Sequence, residues 1–360
     1  MTRGRRSIGR LVPALAISIV CSVAASRPSL APDATALCRS TQPPSPPVRW
    51  SRPVDDRDAR HLDAWCAAVG PLVFRPAPAG PLAAAATATD DVLIVSWNVH
   101  VGAADIDRFV ADLRAGRFSA GRPPSGFVLL LQEAVRSSGV PMAMPVGASA
   151  AGAIASDAAI EHNDVERLAD RLGLSVLYAP SMRDGRTARG VHHAADRGNA
   201  ILSTLPLSDA VAIELPGERQ RRVAITARVP IDVSGRRSDV SVGVAHLDTL
   251  GSPHSLWLFG AAGARARQAT ALANALPNGS AILGADLNSW MGPGEPAVRT
   301  LVDLFPSTPR LAHEPTIGGG LVLDYLLFRL PPDWRADATR ASERYGSDHY
   351  PILGSIAPQL

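Results

Sequence analysis

The chain has 360 residues, of which 46% are hydrophobic, enough to bury a large core in one big domain or in one domain with an appendage. Its formal net charge is +3, but every basic residue is an arginine and four of them lie in the first ten positions, namely Arg3, Arg5, Arg6 and Arg10. Without these four the formal charge falls to −1, which excludes a general electrostatic attraction to polyanions. Any recognition of phosphate must therefore be local.

The N-terminus has the pattern of a secretory signal peptide. A basic stretch at residues 2–10 precedes an apolar run at residues 11–25, and small residues follow. The alternative is an uncleaved membrane anchor, but the run is shorter than the ~20 residues that a spanning helix needs, and it contains Pro13. We therefore predict a signal peptide at residues 1–25 and a secreted or periplasmic protein.

The segment after the signal peptide holds the remaining two cysteines, Cys38 and Cys66. An even number of cysteines in an exported chain predicts one disulfide bond, and no Cys-x-x-Cys or close Cys/His cluster indicates a metal site. Residues 26–90 are rich in proline and alanine. We predict that they form an N-terminal segment, ordered in part by a Cys38–Cys66 disulfide, before a single domain at residues 91–360.

From residue 91 onward, short apolar runs alternate with helical patterns. Proline and glycine between residues 201 and 229 favour antiparallel hairpins there. The pattern predicts sheets packed on each other with helices outside. Predicted strands cover residues 92–97, 127–131, 175–178, 199–203, 223–229, 240–245, 281–285, 321–328 and 350–356, and predicted helices cover 106–113, 164–172 and 255–275.

Six of the predicted strands carry an Asn, Asp, Glu or His in or directly beside them. One such residue means little, because loops are polar in any case. Six of them predict a rim at which oxygens and imidazoles face one pocket. Carboxylate and amide oxygens are the ligands that Mg²⁺ prefers, and imidazole is suited to acid–base chemistry near neutral pH. These residues are Asn98, Glu133, His246, Asp286, Asp324 and the adjacent pair Asp348 and His349.

Six short motifs contain these residues or lie between them. They are Ser96-Trp97-Asn98-Val99, Leu131-Gln132-Glu133, Arg197-Gly198-Asn199-Ala200-Ile201-Leu202-Ser203, Ala245-His246-Leu247-Asp248, Gly284-Ala285-Asp286-Leu287-Asn288 and Ser347-Asp348-His349-Tyr350-Pro351. In this order they resemble the endonuclease/exonuclease/phosphatase superfamily, which includes deoxyribonucleases, abasic-site endonucleases, neutral sphingomyelinases and inositol-polyphosphate phosphatases. The resemblance covers about residues 91–356. It implies an α/β fold, a four-layer α/β/β/α sandwich of two packed mixed sheets with outer helices, and hydrolysis at phosphorus that depends on Mg²⁺ or Mn²⁺.

The resemblance also implies a set of metal ligands. Glu133 corresponds to the principal ligand, and Asn98 is expected to hold the metal or a non-bridging phosphate oxygen. Asp348 is expected to face the same cation.

The resemblance implies the catalytic residues as well. Asp286 is expected to orient and deprotonate the attacking water, and Asn288 to position that water or the phosphate. His349 is expected at the scissile phosphate, with Asp324 bound to its other ring nitrogen. His246 is expected either to protonate the leaving oxygen or to bind the phosphate.

Substrate choice is less well defined by the sequence. Arginines are clustered at residues 183–197, which suits a phosphate-rich ligand and equally suits a solvated loop. We expect Asn199, Arg197 and Arg189 to contact the substrate. His100 stands where abasic-site endonucleases carry an acidic residue, which argues against a role in DNA repair; a loop histidine and a further metal or phosphate contact are both open.

Three hypotheses follow. The first is a metal-dependent phosphodiesterase or nuclease that uses an activated water in line with the leaving oxygen. The second is a lipid- or inositol-phosphate phosphoesterase of the sphingomyelinase type, and the third is a non-catalytic binding module that retains the fold. The complete set of polar residues argues against the third. The expected partner is a phosphoester substrate, whether nucleic acid, phospholipid head group or small phosphodiester, and we expect a monomer with no protein partner.

Overall fold

A computed structural model describes residues 30–31, 47–51, 56–77, 92–141, 150–151, 157–184, 194–217, 220–249, 257–309 and 314–359. The predicted signal peptide, Cys38 and Arg189 lie outside these residues. Among the residues that are described, no helix is long and apolar enough to span a membrane.

The described elements comprise fifteen strands and six α-helices, with five strands in succession from β7 to β11. The strands are β1 (Leu30–Ala31), β2 (Arg49–Ser51), β3 (Val73–Arg75), β4 (Val92–Asn98), β5 (Gly126–Arg136), β6 (Ala150–Ala151), β7 (Ser175–Asp184), β8 (Asp196–Ser203), β9 (Ser208–Glu214), β10 (Val223–Val233), β11 (Arg236–His246), β12 (Ala281–Asp286), β13 (Asp324–Arg329), β14 (Trp334–Arg340) and β15 (Ile352–Pro358). The α-helices are α1 (Asp56–Ala68), α2 (Ile106–Arg114), α3 (Asp157–His162), α4 (Val165–Leu172), α5 (Trp257–Ala275) and α6 (Pro296–Leu304).

These strands form two mixed sheets. The first sheet has the order β14-β15-β4-β5-β8-β7-β3, with β6 paired to β7, and the second has the order β1-β2-β9-β10-β11-β12-β13. In the first sheet β4 and β5 run parallel, and in the second β11 and β12 run parallel. Most other pairs are antiparallel. Each sheet therefore contains one central parallel pair whose carboxyl ends can present side chains to a shared pocket.

Successive residues of the central strands point to opposite sides of each sheet, which creates three apolar layers. Ile94 of β4 packs between the two sheets, whereas its neighbour Val95 packs under α2 and α4. The outer face of the second sheet is covered by α5 and α6. This arrangement confirms the predicted four-layer α/β/β/α sandwich.

The sheets approach closely behind the strand ends that carry the polar motifs. A Cβ atom at Gly284 of β12 would lie 2.8 Å from Ser96 Oγ and 2.9 Å from Leu130 Cβ, both in the opposite sheet. Only glycine fits this contact without movement of one sheet. The glycine of the Gly-Ala-Asp-Leu-Asn motif therefore sets the spacing between the two parallel pairs.

Two features of the fold were not expected from the sequence. Residues before Asp91 were expected to form a proline-rich segment, yet β1 and β2 extend the second sheet beside β9, and β3 pairs with β7 in the first. Cys66 is disulfide-bonded, while its pairing with Cys38 stays a prediction because Cys38 lies outside the described residues. Of the hairpins expected between residues 201 and 229, β9 and β10 do pair antiparallel, whereas Pro206 lies between β8 of the first sheet and β9 of the second.

A buried ion pair fastens residues near β3 to the first sheet. Asp196 is fully buried and accepts hydrogen bonds from Arg136 Nη2 at 2.6 Å, from the Tyr178 hydroxyl at 2.7 Å and from the Gly70 amide at 2.7 Å. Asp196→Ala would remove the close counter-ion of the buried Arg136 and leave it only Glu166, 4.0 Å from its Nη1. We expect a loss of about 3–5 kcal/mol in the free energy of unfolding, measured by urea denaturation. Asp209→Ala removes an exposed carboxylate and should change it little.

Candidate active site

The polar motifs meet where the two parallel strand pairs end. Asn98 is the last residue of β4 and is paired with Gln132 of β5. In the second sheet, Asp286 of β12 is paired with His246 on one side and Asp324 on the other. The alternation of side chains along the strands buries the apolar residues between and outside the sheets. The polar residues are clustered at the end of the sandwich where the two parallel strand pairs end.

His349 and Asp324 form a buried pair. His349 Nδ1 shares a 2.7 Å hydrogen bond with Asp324 Oδ2, and both side chains are almost fully buried. The backbone amide of His349 donates to Ser347 Oγ at 3.1 Å, and its carbonyl accepts from Trp97 Nε1 at 3.1 Å. Burial alone would lower the pKa of His349, but the carboxylate of Asp324 outweighs it and raises the pKa to about 10.

Asp286 lies beside this pair. Its Oδ2 accepts a 2.9 Å hydrogen bond from Asn98 Nδ2, and its Oδ1 accepts one of 2.9 Å from the amide of Asn288. Burial and the nearby Asp324 carboxylate raise the pKa of Asp286 to about 7. The side chain of Asn288 donates to the carbonyl of Leu247 at 3.1 Å and so joins the ends of β11 and β12. The backbone amide of Asn288 and the carboxylate of Asp286 are therefore held together by the protein itself.

His246 lies on the other side of Asp286. Its Nε2 is 3.5 Å from Asp286 Oδ2 without forming a hydrogen bond, and its Nδ1 is 4.0 Å from Glu133 Oε1. Burial and the cation of Arg222 hold the pKa of His246 well below its usual value. The lowered pKa favours the neutral imidazole, which suits the binding of a phosphate oxygen better than proton donation.

Glu133 occupies a strained position at the rim. It lies at a break in the β5–β8 register between Leu131 and Ala134, and its φ of 56° falls in the left-handed region. The cost of this conformation in a non-glycine residue is about 1–3 kcal/mol, and such residues cluster at functional sites. The bulge turns the Glu133 carboxylate to within 3.3 Å of Arg197 Nη1.

The residues expected to contact the substrate lie in different settings. Arg197 is committed to carboxylates, since its Nε is also 3.8 Å from Asp184 Oδ1. Asn199 donates from Nδ2 to the carbonyl of Val223 at 2.7 Å, and its Oδ1 is buried without a hydrogen-bond partner. Arg189 lies outside the described residues, so its role stays a prediction.

The sequence left open whether His100 is a loop histidine or a further metal or phosphate contact, and the structure brings it to the rim. His100 Nδ1 lies 2.5 Å from Asp348 Oδ1, and the His100 amide donates to Asn98 Oδ1 at 3.0 Å. The Asp348 carboxylate raises the pKa of His100 by hydrogen bonding, against the effect of burial. The backbone of His100 has a φ of 50°. Nothing in the residue types of the sequence predicted this conformation.

The donor set fits a hard divalent cation. Asp286, Asp324 and His349 each bring a ligand atom to within 4.8 Å of the others, so this buried group could hold a metal ion. In this structure, however, His349 Nδ1 is already hydrogen-bonded to Asp324, and Asp324 Oδ1 is buried without a partner. Glu133, which is partly exposed, and Asp348, which is exposed over 42% of its side chain, offer further oxygens at the open side. Such a set of carboxylates and amides matches the preference of Mg²⁺ or Mn²⁺.

The His349–Asp324 pair predicts a pH dependence of stability in the metal-free protein. Because the pKa of His349 in the folded state, about 10, lies above the unfolded value of 6.5, the pair stabilises fully below pH 6.5 and loses this contribution as pH rises through about 10. We expect the stability advantage of the wild type over His349→Gln to shrink between these values. Urea denaturation with a chelator present measures it, and a constant difference across that range would contradict the assignment.

Comparison with known proteins agrees with this architecture. A model of the Endonuclease/Exonuclease/phosphatase family matches residues 95–349. An endonuclease/exonuclease/phosphatase from Beutenbergia cavernae DSM 12333 has a similar structure, with 20% identity and a TM-score of 0.52 over 75% of this chain and 72% of that one. The human Nocturnin catalytic domain, solved with a bound sulfate anion, has 17% identity and a TM-score of 0.50 over 75% of this chain and 94% of that one. Among curated proteins, none matches this sequence. The family match over most of its length shows that the chain belongs to the endonuclease/exonuclease/phosphatase family.

Proposed function

We propose that this protein is an exported phosphodiesterase that needs a divalent cation, Mg²⁺ or Mn²⁺, and hydrolyses its substrate with an activated water. Members of its family are hydrolases that act on phosphoesters. The proposal adds the reaction mode, the cation and the location outside the cytoplasm. It rests on the side chains at the strand ends.

The observation that carries the proposal is the close grouping of Asp286 with the hydrogen-bonded pair His349 and Asp324, whose ligand atoms all lie within 4.8 Å of one another in a buried site. Asp286, with its pKa raised to about 7, is a base matched to neutral pH, and His349, with its pKa raised to about 10, carries a proton there. Environments that separate two pKa values in this way define an acid and a base. Asp286 can take a proton from a water held by Asn288, while the free Nε2–H of His349 donates to a phosphoryl oxygen.

The other residues hold and orient the reacting groups. Asp324 fixes the ring of His349 through Nδ1, which leaves Nε2 directed away from that carboxylate. Glu133, Asn98 and Asp348 would hold the cation, whose bound charge would offset that of the phosphoryl group. The neutral ring of His246 adjoins Asp286 and can donate a hydrogen bond to the ester or phosphoryl oxygen.

A second candidate function is hydrolysis of a lipid phosphodiester of the sphingomyelinase type. It is favoured by the loop that follows Asn288, where Trp290 and Met291 are exposed over 43% and 48% of their surfaces. Among the described residues these are the large hydrophobic side chains that remain exposed. An apolar pair next to the catalytic rim suits a substrate with an apolar part.

The experiment is a substrate screen with the mature protein, residues 26–360, in Mg²⁺, in Mn²⁺ and with a chelator. The substrates are plasmid DNA, RNA, sphingomyelin vesicles, inositol phosphates and bis(p-nitrophenyl) phosphate. Hydrolysis that the chelator abolishes supports the proposal, and release of phosphocholine in preference to nucleotides supports the second candidate. Failure to hydrolyse every substrate with either metal would leave only the binding-module hypothesis. The N-terminal sequence of protein recovered outside the cytoplasm tests export.

A further inference from the structure

Two adjacent arginines, Arg221 and Arg222, are both buried but differ in their partners. Arg221 forms an ion pair with Glu214, with Nε 3.1 Å from Oε2, and its Nη1 donates to the carbonyl of Pro180 at 3.2 Å. Arg222 is only 5% exposed, yet its one hydrogen bond runs from Nη2 to Gln220 Oε1 at 2.9 Å. Its Nε has no hydrogen-bond partner, and among the described residues no carboxylate forms a salt bridge with it, although Asp248 attracts its charge.

A buried cation without an anion is unfavourable, because it has lost its water and gained too few hydrogen bonds in exchange. Burial lowers the pKa of Arg222 although Asp248 and, more weakly, Glu133 and Asp286 attract its charge, so the fold compensates this cation only in part. Arg221 shows that this part of the chain can supply a carboxylate where one is needed. The incomplete pairing of Arg222 is therefore a specific feature of that position.

Arg222 lies at the catalytic rim. The antiparallel register of β10 and β11 pairs Ile225 with Val244, and continued toward the strand ends it sets Arg222 beside Leu247. Leu247 is held on both sides by the catalytic motif, because its amide donates to the carbonyl of Asp286 and its own carbonyl accepts from Asn288. The side chain of Asn199 contacts the residue after Arg222 through the carbonyl of Val223.

Three buried polar atoms in this region lack a hydrogen-bond partner: Arg222 Nε, His246 Nε2 and Asn199 Oδ1. Two of them, Arg222 Nε in a guanidinium group and His246 Nε2 in an imidazole ring, can donate a hydrogen bond. The charge of Arg222 lowers the pKa of His246, so the two side chains are near each other, and an anion with several oxygens would offer acceptors to both donors. A water molecule would offer an acceptor but no negative charge.

We propose that Arg222 is a phosphate-binding residue, which with His246 receives the non-bridging oxygens of a phosphate ester at this rim. The inference rests on the proposed function, because it assigns the substrate's phosphate to that same site. It differs from the sequence-based expectation, in which Arg197 was to contact the substrate: Arg197 is committed to Glu133 and Asp184. Arg222, by contrast, forms no salt bridge with a described carboxylate, and its Nε is available to the ligand.

The test compares Arg222→Met with Arg222→Lys. We expect Arg222→Met to raise both the inhibition constant of inorganic phosphate and the KM for bis(p-nitrophenyl) phosphate by at least about tenfold, since a hydrogen bond to a charged group is lost. Arg222→Lys keeps the positive charge but loses the forked guanidinium. Its inhibition constant and KM should lie between those of the wild type and those of Arg222→Met. Arg228→Met removes a half-exposed arginine of the same strand, paired with Asp209, and should leave both constants unchanged.

Thermal stability separates a ligand-binding role from a structural one. If Arg222 is uncompensated, Arg222→Met should match or exceed the wild-type Tm without phosphate, whereas Arg221→Met should lower the Tm because Glu214 is left buried alone. Added phosphate should raise the Tm of the wild type and should not raise that of Arg222→Met. A drop in Tm for Arg222→Met as large as that for Arg221→Met would overturn the proposal, as would unchanged phosphate inhibition.

Failure of this inference and failure of the proposed function give different results. Calorimetric titration of the metal-loaded protein with inorganic phosphate needs no hydrolysis, so binding that depends on Arg222 can be seen even if no substrate is cleaved. Conversely, cleavage with constants that do not respond to Arg222→Met would retain the phosphodiesterase and reject this residue. Arg222→Lys provides the same reading if Arg222→Met does not fold.

Discussion

His349→Ala is expected to lower kcat by about 10²- to 10⁴-fold with little change in KM. The imidazole is held at 2.7 Å from Asp324, which raises its pKa to about 10, so its loss would remove the charged donor that we propose to face the phosphoryl oxygens. Substrate binding depends on other groups and should survive. Steady-state kinetics with bis(p-nitrophenyl) phosphate measure the two constants separately.

Asp324→Asn distinguishes positioning from direct chemistry. The His349 backbone is anchored by Ser347 and Trp97, so the ring should stay in place while its pKa falls from about 10. We expect a smaller loss of kcat than for His349→Ala, and a shift of the alkaline limb of the rate profile to lower pH. If His349→Ala hydrolyses at the wild-type rate, the assignment of this pair is wrong.

The strands were predictable where apolar residues run without interruption and not where the pattern is weak. The strand predicted at residues 92–97 is only one residue shorter than β4. It could be predicted because every position of β4 is buried, so that apolar residues dominate its sequence. By contrast, β14 has the sequence Trp-Arg-Ala-Asp-Ala-Thr-Arg, and only Trp334 is fully buried, so an edge strand with charged outward residues gave no apolar signal. The helix α6 begins with a proline and was missed for the same lack of a long periodic run.

The site followed a similar division. Short motifs named Asp286 and His349, and the structure places them in one buried group with Asp324. Sequence could not show that Glu133 adopts a positive φ, since that depends on the bulge opposite β8. Nor could it distinguish Arg222 from Arg221, because a partner such as Glu214 is set by the pairing of β9 with β10. The residues of the site could be identified from short sequence motifs. Which charged residues have an ion-pair partner could be seen only in the tertiary structure.

Glu133→Gln is expected to raise the cation concentration needed for half-maximal activity by at least about tenfold, the loss seen even for residues one layer behind a metal. Gln keeps the size of the side chain and can occupy the same bulge, so the change removes mainly a negative charge at the rim. Arg197 then loses one of its two carboxylates but keeps Asp184 at 3.8 Å. Activity titrated with Mg²⁺ and with Mn²⁺ gives this concentration directly.

A measurement that does not depend on turnover is needed to assign Glu133 to the cation rather than to substrate. Mg²⁺ or Mn²⁺ should raise the Tm of the wild type, because a ligand that binds the folded state stabilises it, and this increase should be much smaller in Glu133→Gln. Glu161→Gln removes a carboxylate that is exposed over 70% of its side chain and should retain the full increase. An equal rise in Tm for Glu133→Gln and the wild type would place the cation on other oxygens. The buried Asp286–Asp324 pair would then be the next group to test, because there the charge of a metal would offset the burial and the Asp324 repulsion that raise the pKa of Asp286.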